Sequence, residues 1–202
     1  MIIQFLLYDR MTALDAIGPY ESLSRLNDVE VRMVGLEKGI VRTDTGFLGL
    51  SADYDLDDAG PCDVLVVPGG DQWAVIKDER TLAWLRQQHK TTQITASVCT
   101  GSLVLAAAGI ITEGEISSHW AVADFIPKLG LAYSGKRITR QGRIITAAGV
   151  SAGIDMGLAL CEILQDRETA EAIQLGLEYD PEPPFTPTPD APTKSRAIEL
   201  IS

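Results

Sequence analysis

Strand-length apolar runs alternate in this chain with segments of helical spacing, and that order restricts the fold more than any other feature. "IIQFLLY" (2–8), "CDVLVVPGG" (62–70) and "QITASV" (93–98) are runs of the kind that suit strands covered on both faces. "VEVRMVGL" (29–36) alternates and reads as a further strand. Between the runs lie helices. In "DAIGPYESLSRL" (15–26), Pro19 after Gly18 is placed to open one, because a first turn has no use for the N–H that proline lacks. Glu21 then falls in the first turns and complements the helix dipole. "RTLAWLRQQH" (80–89) has apolar residues at helical spacing, and "TGSLVLAAAG" (100–109) reads as a helix closed by Gly109. "SAGIDMGLALCEILQD" (151–166) and "RETAEAIQLGLEY" (167–179) read as two helices in series. Turn signals in "IVRTDTGFLGLSADY" (40–54) predict a hairpin or an excursion, and Gln-Gly in "KRITRQGRIITAAG" (136–149) predicts a hairpin. The whole predicts an α/β fold with a mainly parallel sheet and helices on both faces.

A chain of 202 residues fits one domain, here residues 1–179. From Asp180 the composition changes. "DPEPPFTPTPDAPT" (180–193) is too dense in proline for a helix or a central strand, so 180–202 is expected to be an extended tail, lying on the body or on a partner subunit.

A formal net charge of −11 repels phosphate backbones and anionic lipid, which argues against nucleic acid and membranes as partners. A small neutral ligand meets no such barrier. "SLVLAAAGII" (102–111) is about half the roughly 20 residues of a membrane span. "MIIQFLLYDR" lacks the basic leader of a secretion signal and reads as a first strand. Cys62, Cys99 and Cys161 are too few for a disulfide framework, and the two histidines, His89 and His119, stand far apart with no CxxC pair. No zinc site is expected, and a reducing cytoplasm is the natural compartment.

Ligands of open α/β sheets bind beyond the carboxyl ends of the strands, and three segments fall there. Asp15 follows the first strand, Gly69-Gly70 follows "VLVVP", and Cys99 follows "ITASV". Cys99 admits two readings. It is a nucleophile on a strand–turn–helix elbow, where a helix N-terminus favours the thiolate and Gly101 leaves room beside the sulfur, or it is a packed thiol. Asp15 is either the proton-transfer partner of that thiol or a helix-start residue accepting backbone N–H groups. Gly69 and Gly70 either present N–H groups to a developing negative charge or simply end a strand. Thr100 either bonds near the sulfur or caps the helix. His119, with Trp120, either lines the pocket or packs. Cys62 and Cys161 read as core. Asp155 is either a structural anchor or simply exposed, since a buried unpaired carboxylate is costly.

The segments "LDAIGPYE" (14–21), "VLVVPGG" (64–70), "SVCTGSLVLAAAGI" (97–110), "SSHWAVAD" (117–124) and "TAAGVSAGIDMGLAL" (146–160) resemble the ThiJ/PfpI superfamily along nearly the whole chain. "VCTG" together with "QLGLEYDPEPPF" (174–185) looks like its isocyanide hydratase branch. The resemblance implies a flavodoxin-like three-layer fold, shared with class I glutamine amidotransferase domains, and a homodimer. It also implies Cys99 as nucleophile, Asp15 as its acidic partner, and no metal or organic cofactor. Many superfamily members carry glutamate at the acidic position, whereas this chain has aspartate, as the hydratases do. Protease- and amidotransferase-like relatives place histidine near the cysteine, in several as the next residue. Here that residue is Thr100, which puts their chemistry in doubt. The implied reaction converts an isocyanide to an N-substituted formamide through a cysteine thioimidate. Two other activities occur in the superfamily. One is ligand sensing, as in the N-terminal domains of AraC-type regulators; the other is glyoxalase- or stress-type cysteine chemistry.

Overall fold

The computed structural model describes residues 1–201. Its strands are β1 (Ile2–Leu7), β2 (Glu30–Gly35), β3 (Gly39–Arg42), β4 (Gly49–Ala52), β5 (Tyr54–Asp55), β6 (Val64–Val67), β7 (Ile94–Val98), β8 (Glu115–Ile116), β9 (Ala132–Tyr133), β10 (Ile138–Gln141) and β11 (Ile144–Ala147). Its helices are α1 (Ala13–Leu23), α2 (Glu79–Thr91), α3 (Gly101–Ala107), α4 (Ala152–Leu164), α5 (Arg167–Gly176) and α6 (Ala191–Ile201). One seven-stranded sheet runs in the order β10-β11-β7-β6-β1-β2-β5. All its neighbouring pairs are parallel except β10 with β11, the hairpin around the Gln-Gly pair. β3 and β4 form the other expected hairpin, outside the main sheet.

The apolar runs occupy the centre, as their composition requires. β1 is buried from Ile3 to Leu7, and β6 and β7 throughout. Alternate residues of β7 meet different layers. Val98 faces α4, where a Cβ added to Gly153 would lie 3.3 Å from it, while Thr95 bonds His89 of α2 at 2.8 Å. The result is a three-layer α/β sandwich of flavodoxin-like type. The chain moves outward from β1 through β2, then returns to its other side as β6, so the strand order reverses between β1 and β6. A ligand crevice belongs at such a reversal.

Pro19 does not open α1; it sits inside the helix, and Glu21 lies beyond it rather than in the first turns, paired with Arg25 at 2.8 Å. An interior proline removes a helical hydrogen bond. What offsets it is packing: α4 closes on α1 through Gly153 and Gly157, where a side chain on Gly157 would lie 2.9 Å from Pro19 Cα.

Asp155 is a paired anchor: it accepts from Arg137 Nε at 2.6 Å and from the Tyr179 hydroxyl at 3.1 Å. Beyond Tyr179 the chain is almost wholly exposed and lacks regular structure up to Asp190. The expectation of an extended tail fails after that point. Asp190 accepts the Thr193 N–H at 2.9 Å and starts α6, and Pro192 occupies the first turn, where its missing N–H does no harm. No helix among the described residues is long and apolar enough to cross a membrane.

Candidate active site

The carboxyl ends of β1, β6 and β7 bring Asp15, Gly69-Gly70 and Cys99 to one edge of the sheet. The loops are pinned to each other: the Thr12 N–H donates to Gly69 O at 2.9 Å, and the Asp71 N–H to Arg10 O at 3.0 Å. Gly70 has φ +122, and a side chain there would strike the Arg10 carbonyl oxygen at 2.6 Å. The next strand ends in an elbow. Cys99 takes φ +57, a left-handed conformation that costs an L-residue about 1 kcal/mol or more, and its N–H is shared between Ala147 O and Ala148 O at 3.2 and 3.1 Å. Gly101 then lets α3 start directly against the end of β6. A Cβ there would overlap the Val67 carbonyl oxygen and lie 2.9 Å from the Pro68 carbonyl carbon.

Asp15 is in the first turn of α1 and fully buried. Its Oδ2 accepts the Gly69 N–H at 2.8 Å, and Oδ1 has no hydrogen-bond partner among the described residues. Burial raises its pKa to about 7; the Gly69 N–H and the Cys99 thiol beside it hold the rise back, and the Asp44 charge adds to it. Asp15 therefore does accept a backbone N–H, but from across the crevice rather than within its own helix.

Cys99 is 6% exposed. Its thiol is pushed up to about 12, first by burial and then by the Asp15 charge. The Val150 and Thr100 N–H groups and the Thr100 hydroxyl act in the opposite direction and are outweighed. The expectation that a helix N-terminus leaves a thiolate here is therefore not met. Desolvation beside a carboxylate disfavours the thiolate more than the short α3 and a few donors favour it.

Thr100 does not cap α3 with its side chain. Its Oγ1 accepts the Gly70 N–H at 3.1 Å and lies 3.2 Å from Gly70 O. Both glycine N–H groups are thus engaged, Gly69 by Asp15 and Gly70 by Thr100. Neither is directed at a bound reactant, and the two glycines instead tie the acid and the elbow together. His119 Nδ1 accepts the Ala121 N–H at 3.3 Å, and its ring fills the space where Gly149 lacks a side chain. Burial lowers its pKa, so the ring is neutral and supports the loop that carries Val150. Cys62 and Cys161 are buried core thiols, raised by burial to about 12 and about 11.

Several contributors carry no clear sequence signal. Tyr8 is buried, donates to Pro68 O at 3.0 Å, and feels the charges of Asp15 and Cys99. Only its place at the end of the first strand hints at this. Val150 has φ +37, which nothing in a β-branched residue announces. Ser118, fully buried, donates to Cys99 O at 3.0 Å and accepts from the equally buried Ser102 hydroxyl at 3.0 Å. Among the described residues, no three His, Cys, Asp or Glu side chains gather as a metal site would.

The chemistry of the pair follows from its coupling. Ionising either group makes the other harder to ionise, so thiol and carboxyl titrate together. With the carboxyl poised near neutrality, it can take the thiol proton as sulfur bonds to an electrophile and later return it.

The model of the DJ-1/PfpI family matches residues 1–163. An isonitrile hydratase of Pseudomonas putida is 41% identical over 184 residues, which cover 91% of this chain and 80% of that protein. The transcriptional regulator GbdR of Pseudomonas aeruginosa is 29% identical over 88% of this chain, which spans 50% of the regulator. Among solved structures, a ThiJ/PfpI family protein from Pseudomonas syringae superposes with a TM-score of 0.93 at 34% identity, over 99% of this chain and 85% of that one. Schizosaccharomyces pombe DJ-1, at 15% identity and a TM-score of 0.78 over 89% of this chain and all of its own, shares the fold.

Proposed function

The chain belongs to the DJ-1/PfpI family, and from that premise we propose that it is a hydratase converting an isocyanide to an N-substituted formamide, with Cys99 as nucleophile. The observation that carries the reading is a buried cysteine on a left-handed elbow with the buried Asp15 carboxyl at the same sheet edge, one oxygen held by the Gly69 N–H and the other without a hydrogen-bond partner among the described residues. An isocyanide, R–N≡C, is uncharged and needs both a nucleophile and a proton at its terminal carbon. Asp15 in its carboxylate form takes the Cys99 proton as the sulfur–carbon bond forms. The resulting acid delivers that proton to the same carbon. The product is the thioimidate R–N=CH–S–Cys99, an addition in which nothing leaves. Asp15, again a carboxylate, then takes a proton from a water that attacks the carbon and passes that same proton to the nitrogen, returning to the carboxylate. Collapse of R–NH–CH(OH)–S–Cys99 breaks the carbon–sulfur bond, gives R–NH–CHO and restores the thiol.

Thr100 in place of a histidine fits this reading, because no amine leaving group has to be protonated. Thr100 holds the turn at Gly70, Gly69 orients Asp15, and His119 supports the loop behind the sulfur. No metal or organic cofactor enters these steps. A homodimeric assembly and a cytoplasmic location are parts of the same proposal.

Incubation with an alkyl or aryl isocyanide, followed by quantification of formamide, tests the reading. Turnover that is lost in Cys99→Ala is the expected result; full turnover in that variant overturns it. The similarity to GbdR favours a second reading, a ligand-sensing module. Saturable isocyanide binding with no formamide would select it.

A further inference from the structure

We infer that the buried hydroxyls of Ser118 and Ser102 are positioning groups that aim the Thr100 N–H at the Cys99 sulfur. The inference rests on the reading of Cys99 as a nucleophile and adds to it two residues whose hydroxyls bond at the Cys99 carbonyl.

The starting point is the peptide unit between Cys99 and Thr100. A trans peptide is planar, and its C=O and N–H point in opposite directions. Fixing the carbonyl therefore fixes the N–H. The Cys99 carbonyl oxygen accepts from Ser118 Oγ at 3.0 Å, and Ser118 Oγ in turn accepts from Ser102 Oγ at 3.0 Å, so the two hydroxyls form a relay onto the carbonyl, with Ser102 Oγ itself 3.4 Å from it. Both serines have no solvent exposure, so neither hydroxyl has water to turn to. The N–H at the other end of the same plane belongs to Thr100 and is among the groups that favour the Cys99 thiolate.

This clamp sits where the backbone most needs one. Cys99 is left-handed at φ +57 and lacks glycine's tolerance for that region. The Cys99–Thr100 peptide precedes the first residue of α3, which begins at Gly101. The serines come from two separate segments, Ser102 from α3 and Ser118 from the loop after β8, so the elbow is fixed from both sides. The developing negative charge on sulfur then meets an N–H that is already oriented, with no rotation of the peptide during reaction.

The test is the rate at which iodoacetamide alkylates Cys99, read on the Cys99 peptide by mass spectrometry between pH 7.5 and 9.5, so that Cys62 and Cys161 do not contribute. In this range the rate follows the thiolate fraction. Ser118→Ala is expected to slow alkylation about three- to tenfold at every pH, and the Ser102→Ala/Ser118→Ala pair to slow it further. Ser118→Thr keeps a hydroxyl and should stay near the unmodified rate. The direction separates positioning from mere packing, because a loosened elbow would expose the sulfur and speed alkylation. An unchanged or faster rate in Ser118→Ala overturns the inference and leaves the nucleophile reading intact. If Ser118→Ala does not fold, Ser102→Ala alone must still slow the reaction. A Cys99 inert to alkylation in the unmodified chain overturns the nucleophile reading itself.

Discussion

The Asp15 carboxylate and the Gly69 N–H, 54 residues apart in sequence, meet across the β1–β6 crevice at 2.8 Å. Through this bond the backbone of the β6 turn orients the buried carboxyl. The bond only partly compensates for burial, which leaves the acid titrating at about 7.

That residual penalty has a sign for stability. The pKa of Asp15 is raised in the folded state from 3.8 to about 7, so folding is favoured while the group is protonated, and the contribution is lost as pH rises from about 4 through 7. A shift of that size corresponds to about 4 kcal/mol. Asp15→Asn should therefore melt higher than the unmodified chain at pH 8, with the difference shrinking toward pH 4, and should lack hydratase activity. Thermal unfolding across that range checks both the sign and the trend.

The same titration sets the activity profile. The reaction needs the carboxylate, so kcat/KM should fall about tenfold per pH unit below about 7. The thiol, raised to about 12, should add no second limb between pH 7 and 9. A profile that is flat from pH 5 to 9 would remove Asp15 from proton transfer.

Much of this geometry was legible in the sequence, and the rest was not, for identifiable reasons. Continuous burial writes itself into "FLL" and "VLVV", so the central strands and the edge carrying Asp15, Gly69 and Cys99 follow from composition and order. Pro19 misleads because local propensity favours a helix start there, while the close approach of Gly153 and Gly157 makes an interior proline tolerable. The ionisation of Cys99 is likewise a tertiary property. A helix N-terminus can be read from "CTGS", but the opposing burial and carboxylate cannot. At Asp190, a capping residue and a first-turn proline were hidden by the proline density around them.

Gly101 carries a prediction about how the elbow is built. Its missing Cβ lets α3 start against the Val67 and Pro68 carbonyl groups. Because the obstacle is backbone rather than a flexible side chain, Gly101→Ala should cost about 2–4 kcal/mol. Chemical denaturation measures it; a loss below about 0.5 kcal/mol would mean that the elbow yields easily.

The tail carries the opposite prediction. Residues from Phe185 to Ile201 are almost entirely exposed, whereas Tyr179 is tied to Asp155. Removal of 185–202 should change stability by less than about 0.5 kcal/mol. Removing the Tyr179 hydroxyl, as Tyr179→Phe, should cost more. Calorimetry of the two variants decides, and a marked destabilisation by the truncation would place the tail in a packed assembly.

The most direct measurement is trapping of the covalent intermediate. The protein turning over an isocyanide is quenched with borohydride, which reduces a C=N bond, and the digested peptides are weighed. The expected result is a Cys99 peptide heavier by one isocyanide and two hydrogens, with the Cys62 and Cys161 peptides unchanged. Formamide accumulating while Cys99 is never modified, or with the adduct on another residue, would contradict a cysteine nucleophile at this elbow.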